Sequence, residues 1–85
     1  MNLTILYFAA LRERIGLARE ECVVPANVTT VAALKDWIVA RGAPWSEAFS
    51  TVPRVRTAVN QSMAGPETSL PDRAEVAFFP PVTGG

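Results

Sequence analysis

An α+β fold, with one main helix packed on one face of a small mixed sheet, follows from three features of the sequence. Segments rich in β-branched, aromatic and aliphatic residues lie near both ends of the chain, at Leu3–Phe8 and Val76–Phe79, and again at Val55–Val59. Between them, Val31, Leu34 and Ile38 repeat at helical spacing. Glycine, proline and asparagine close the segments, at Gly16, Pro25, Gly42, Asn60, Gly65-Pro66 and Pro80. In 85 residues, 49% of them apolar, this is one domain with one modest core.

In the first strand Leu3, Ile5 and Tyr7 fall on one face and Thr4, Leu6 and Phe8 on the other, because successive side chains alternate. Ala9–Ile15 has helical character and stops at Gly16, a residue suited to the left-handed close of a helix. Its Arg12-Glu13-Arg14 run reads as a solvated face. Glu20–Val24 is the second strand, antiparallel to the first and closed by Pro25. Asn27-Val28-Thr29-Thr30 supplies side-chain acceptors for the free N–H groups of the main helix, expected from Val31 to about Arg41 and ending at Gly42. Trp37 lies beside the apolar stripe and reads as a core-edge aromatic, and one further turn is expected at Trp45–Phe49. In the third strand Val55, Thr57 and Val59 point inward, Arg56 and Ala58 outward. Asn60-Gln61 is its turn, since asparagine tolerates positive φ, and Ser62–Ala64 pairs back briefly. After Gly65-Pro66 and Leu70-Pro71-Asp72, both turn segments, the last strand opens at Glu75.

Composition excludes several classes of function. Eight basic and eight acidic residues give zero net charge, which does not favour a nucleic-acid-binding face. No apolar run is long enough to span a bilayer, and Met1-Asn2-Leu3-Thr4 lacks the charged start of a signal peptide. One cysteine and no export signal suit a reducing cytoplasm. With no histidine, neither a His-based triad nor a His metal site exists, and no metal is expected. No glycine-rich phosphate loop appears. The scattered carboxylates read as solvated surface, and Cys22, inside a strand, as a buried thiol.

The end of the chain is the distinctive part. Pro80 and Pro81 cannot donate to a sheet ladder, so they stop the last strand and stiffen its exit. Val82, Thr83, Gly84 and Gly85 then form a flexible tail beyond a domain of residues 1–81. From Pro80 onward the chain can reach roughly 20 Å at ~3.3 Å per residue. Without Cβ atoms, Gly84 and Gly85 suit a channel that admits no side chain.

Phe78-Phe79-Pro80-Pro81-Val82-Thr83-Gly84-Gly85 resembles the end of the molybdopterin synthase small subunits, sulfur carriers of the ubiquitin-like class. Tyr7-Phe8-Ala9-Ala10-Leu11-Arg12-Glu13, Val28-Thr29-Thr30-Val31-Ala32-Ala33-Leu34 and Ala58-Val59-Asn60-Gln61 extend the likeness over nearly the whole chain. Asp72-Arg73-Ala74 departs from it, where an Asp-Gly turn is common. The resemblance implies a β-grasp topology, with the first and last strands side by side in the middle of the sheet. It also implies that the Gly85 carboxylate is the reactive group, adenylated and then thiocarboxylated. No cofactor is bound; acyl-adenylate and thiocarboxylate are transient states of Gly85. The implied partners are an ATP-dependent adenylyltransferase or sulfurylase and the large synthase subunit, in a heterotetramer. The large subunit holds the catalytic groups for sulfur transfer to cyclic pyranopterin monophosphate.

Strand alternation places Leu6, Phe8, Ala77 and Phe79 on the face away from the helix, with Met63 nearby. Adjacent first and last strands would merge them into one apolar patch, a candidate partner interface. A carrier serving thiamine or another thio-cofactor, a lysine-linked protein modifier, and a plain interaction module remain alternative readings of such a domain.

Overall fold

The computed structural model describes residues 1–81, so the expectations for Val82, Thr83, Gly84 and Gly85 lie outside the described residues. The elements are β1 (Asn2–Tyr7), α1 (Ala9–Ile15), β2 (Arg19–Val23), α2 (Val31–Val39), α3 (Trp45–Thr51), β3 (Arg56–Val59), β4 (Ser62–Ala64) and β5 (Glu75–Phe79). They build one five-stranded sheet in the order β2-β1-β5-β3-β4. β1 and β5 pair in parallel at its centre; the other pairs are antiparallel. This is the expected β-grasp topology.

Strand parity sorts the side chains as the sequence predicts. Leu3, Ile5 and Tyr7 of β1, Thr57 and Val59 of β3, and Val76 and Phe78 of β5 are buried against Val31, Leu34 and Ile38 of α2. Phe78 is the centre of this core: it stacks on Tyr7, with ring centroids 6.4 Å apart, and takes the edge of Phe49 at 5.3 Å. The Thr30 hydroxyl accepts the Ala33 N–H at 3.2 Å and so caps α2. Asn60 and Gln61 both take positive φ, 49° and 69°, the turn conformation that matches the twist of an antiparallel hairpin.

Five elements differ in extent from the sequence expectation: β1 begins and ends one residue earlier, at Asn2 and Tyr7, and β3 begins one residue later, at Arg56. β2 begins and ends one residue earlier, with Val24 N–H bonded to Met1 O beyond it. α2 stops at Val39, because its last turn tightens: Arg41 N–H bonds to Ile38 O and Gly42 N–H to Val39 O. α3 runs past the single expected turn to Thr51, since Ala48 and Phe49 are buried against the core and stabilise it. The Asp72-Arg73 turn works without its glycine. Arg73 takes φ 65°, its N–H bonds to Asn2 O at 2.7 Å, and Asp72 Oδ1 accepts the Asn2 N–H at 2.9 Å. No helix among the described residues is long and apolar enough to cross a membrane.

Phe78 is fully buried, so Phe78→Ala should lower unfolding stability by roughly 3–5 kcal/mol. Denaturant titration of the purified variant checks this. A loss under about 1 kcal/mol, in the range typical of surface substitutions, would contradict the assigned strand register.

Candidate functional site

The parallel pairing of β1 and β5 brings their C-terminal ends out at the same edge of the sheet. Phe8 follows β1 there, and Pro80 and Pro81 follow β5. The Phe8 N–H bonds to Phe78 O at 3.2 Å, which fixes Phe8 beside the chain's exit. On the face away from α2, the register aligns Leu6 with Ala77, Ala77 with Ala58, and Ala58 with Met63, one row across four strands. Phe79 lies one step nearer the exit, opposite Arg56. Phe8 and Met63 are 44% and 61% exposed, while Leu6, Ala77 and Phe79 are half-buried by their neighbours in the sheet.

Leu6, Phe8, Met63, Ala77 and Phe79 therefore share one open face next to Pro80 and Pro81. Ala58 completes the row and was not singled out from the sequence, although its outward parity was legible. Two shallow hollows flank Pro80 and Pro81. One is lined by Arg14, Val52, Arg54, Pro80 and Pro81, the other by Arg56, Met63, Phe79 and Pro81.

A polar cluster on the helix side of the sheet was missed. Glu20 is not a solvated carboxylate. It accepts hydrogen bonds from Tyr7 Oη at 2.6 Å, Arg41 Nη1 and Nη2 at 3.0 and 2.8 Å, and Trp45 Nε1 at 3.2 Å. The Arg41 guanidinium also lies 4.0 Å from the Trp45 ring centroid and 5.0 Å from that of Trp37. Alternation along β2 held the signal: if Cys22 points inward, so does Glu20.

Burial alone would raise the Glu20 pKa, but the hydrogen bonds from Arg41 and Tyr7 outweigh it and hold the carboxyl down at about 2. The bond to Glu20 in turn raises Arg41. Burial, then the bond to the Glu20 carboxylate, raises Tyr7 above its ordinary value. Burial pushes the Cys22 thiol up to about 11, with the Glu20 charge adding to the shift. Cys22 is thus a protonated thiol at neutral pH, without nucleophilic character. The cluster is a structural anchor in which the Glu20 carboxylate and the two terminal nitrogens of Arg41 are paired, while the buried Arg41 Nε has no hydrogen-bond partner among the described residues. Among the described residues, no group of three or more His, Cys, Asp and Glu side chains converges as a metal site.

A mixed β-grasp sheet with one open face and a last strand that ends just before Pro80 and Pro81 defines a domain of the ubiquitin-like class. Within that class the chain belongs to the ThiS family, whose profile matches residues 5–85. It is 41% identical over 81 residues to the molybdopterin synthase sulfur carrier subunit of Escherichia coli, covering 95% of this chain and 96% of that one. Among solved structures, it matches a putative molybdopterin converting factor subunit 1 from Pyrococcus furiosus with TM-score 0.79 and 27% identity, over 96% and 99% of the two chains. The fold also matches, with TM-score 0.66 at 17% identity and over the full length of both chains, a protein–protein complex of subunits 1 and 2 of the molybdopterin-converting factor from Helicobacter pylori.

The Glu20 anchor has a pH signature. A carboxyl held at about 2, against an ordinary 4.5, contributes stability that is fully present above pH 4.5 and is lost as pH falls towards 2. Glu20→Gln should therefore be less stable than the unaltered protein at neutral pH, and the gap should narrow between pH 4.5 and 2. Arg41→Ala, which leaves the carboxylate half-stranded, should cost roughly 3 kcal/mol at neutral pH. Urea unfolding across this pH range tests both; a gap independent of pH would contradict the ionic role.

Proposed function

We propose that this chain is the sulfur carrier of molybdenum cofactor biosynthesis, the small subunit of a molybdopterin synthase. The observation that carries this reading is the match to a sulfur carrier subunit over nearly the full length of both chains, with the family match running through Gly85.

The reacting group is the Gly85 α-carboxylate. An α-carboxyl group is ordinarily ionised at neutral pH, and the anion is a poor electrophile. An ATP-dependent activating enzyme lets a carboxylate oxygen attack the α-phosphorus of ATP, forming an acyl-adenylate and releasing pyrophosphate. Hydrosulfide, the simplest sulfur donor, then attacks the acyl carbon, AMP leaves with the electron pair of the broken C–O bond, and loss of the sulfur-bound proton gives the thiocarboxylate. The resulting thiocarboxylate enters the large subunit and delivers sulfur to cyclic pyranopterin monophosphate. Water finally cleaves the acyl carbon from the transferred sulfur and restores the carboxylate. Two such transfers complete one dithiolene. ATP and reduced sulfur donors place this cycle in the cytoplasm.

Docking on the large subunit, in a heterotetramer, uses the open face. Phe8 and Phe79 are its anchors, with Leu6, Ala77 and Met63 completing the apolar surface and Pro80, Pro81, Val82, Thr83 and Gly84 carrying Gly85 into the partner. The exposure of Phe8 and Met63 supports this assignment, with the Phe8 N–H bonded to Phe78 O at the exit and Met63 sharing a hollow with Phe79 and Pro81.

Two experiments test the reading. Incubation with the activating enzyme, ATP and a sulfur donor should replace one oxygen by sulfur at Gly85, read by mass spectrometry of the intact protein and its C-terminal peptide. Cys22→Ser should be converted equally well, and sulfur found on Cys22 instead would overturn the assignment. Separately, Phe79→Ala should keep its thermal stability yet bind the large subunit roughly thirtyfold more weakly, a loss of ~2 kcal/mol in titration calorimetry. Unchanged affinity would remove Phe79 from the interface.

A further inference from the structure

The protein is neutral overall, but its charges are not evenly placed. β1 and β5 end at the exit edge; β3, antiparallel to β5, begins there with Arg56. α1 follows β1 directly and carries Arg14, and Arg54 lies two residues before β3. Asp72 and Glu75 lie at the opposite edge, where β1 and β5 begin.

The three arginines surround the root of the tail at short range. Arg14 and Arg54 line one hollow with Pro80 and Pro81, and Arg56 lines the other with Phe79 and Pro81. All three are exposed. Among the described residues none of them forms an ion pair, whereas Arg19 is paired with Glu21 and Arg41 with Glu20. Glu13, between Arg12 and Arg14, is the carboxylate that α1 contributes near this edge, and neither hollow includes it. Arg56 stands directly opposite Phe79, so the charged residues border the apolar face without a gap.

An apolar centre with a charged border is how protein interfaces are arranged, and the border chiefly sets association rate and salt dependence. We propose that Arg14, Arg54 and Arg56 form a cationic rim around the root of the tail, which docks on an Asp- and Glu-rich rim at the tail channel of the large synthase subunit and speeds capture of the carrier. This rests on the sulfur-carrier reading and adds to it a partner surface of stated charge. The rim commits to the large subunit because it is continuous with the apolar face assigned to that partner. Three unpaired guanidinium groups beside the tail orient the approach so that the tail meets its channel.

The test is association kinetics with purified large subunit. A triple variant, Arg14→Gln with Arg54→Gln and Arg56→Gln, is compared with the unaltered protein and with Arg73→Gln, which removes an exposed arginine at the opposite edge. In about 20 mM salt the association rate constant of the triple variant should fall about tenfold, within the range electrostatic steering gives. Arg73→Gln should change it less than twofold. In about 0.5 M salt, where screening acts within roughly 4 Å, the difference should close. The dissociation rate should stay within about twofold throughout, and thermal melts should coincide, since the replaced groups are solvated. Each single variant should give a part of the effect, so the result does not depend on the triple variant folding. An association rate indifferent to salt, or one that rises in the triple variant, overturns the rim while leaving the apolar anchors intact. Loss of binding in Phe79→Ala at high salt still reports on those anchors alone. Absence of binding by the unaltered protein at every salt concentration overturns the rim and the carrier reading together.

Discussion

The parallel pairing of β1 with β5 is the constraint from which the rest follows. Antiparallel neighbours can be joined by a tight turn, but parallel ones cannot, so residues 8–74 must cross from one end of the sheet back to the other. That crossover carries the helical layer and lays α2 across one face, where Phe78 and Val76 of β5 meet Leu3, Ile5 and Tyr7 of β1. The opposite face is left without a covering helix. The same pairing sends both strands out at one edge. Hydrogen bonds extend the ladder past each end, from Thr4 N–H to Ala74 O and from Phe8 N–H to Phe78 O. A filled core, an open face and a defined exit are thus three consequences of one pairing.

The edge strand β2 needs a separate fastening. Cys22 is its one fully buried residue, so apolar burial holds it weakly. Glu20 supplies the rest by gathering donors from β1, from the end of α2 and from α3. A part-buried carboxylate with fewer donors would cost stability; here Tyr7, Arg41 and Trp45 together satisfy it. The arrangement also fixes register. Slipping β2 by one residue so that Arg19 took the place of Glu20 would set it against Arg41 and turn Glu21 into the buried position of Cys22. The early end of α2 is part of the same device, because Arg41 reaches Glu20 from the tightened turn after Val39.

How much of this was legible in the sequence depended on the range of the interaction that fixed each feature. Parity alone set the facing of Leu6, Phe8, Ala77 and Phe79, because alternation is a property of the strand itself. The Asn60-Gln61 turn and the Gly16 close of α1 were legible because backbone conformation is a local preference. The Glu20 anchor was not, since its donors lie 13, 21 and 25 residues away and a charged residue in a strand ordinarily faces water. The Asp72-Arg73 turn was obscured for the same reason: its support comes from Asn2, 70 residues earlier. Within the candidate site, Arg56 could be placed by strand parity. Arg14 and Arg54 could not, because they sit on a short helix and a loop whose position beside Pro81 is purely tertiary.

A recycled carrier faces a kinetic demand that shapes its surface more than affinity does. It must find its partner, surrender one atom and leave, many times over. A wide apolar interface would hold it too long, because most of the energy gained from extra buried contacts appears as slower dissociation. Charge placed at the border acts differently: it raises the frequency of productive encounters while adding little once the interface is closed and the border remains solvated. The open face here has few large anchors, chiefly Phe8 and Phe79, and its charges stand at the exit edge beside them. On the docking proposed above, that division would let the approach be fast and oriented while departure depended on the two aromatic side chains. It also explains why a neutral chain gains from uneven charge, since steering depends on where charges sit relative to the contact and not on their sum.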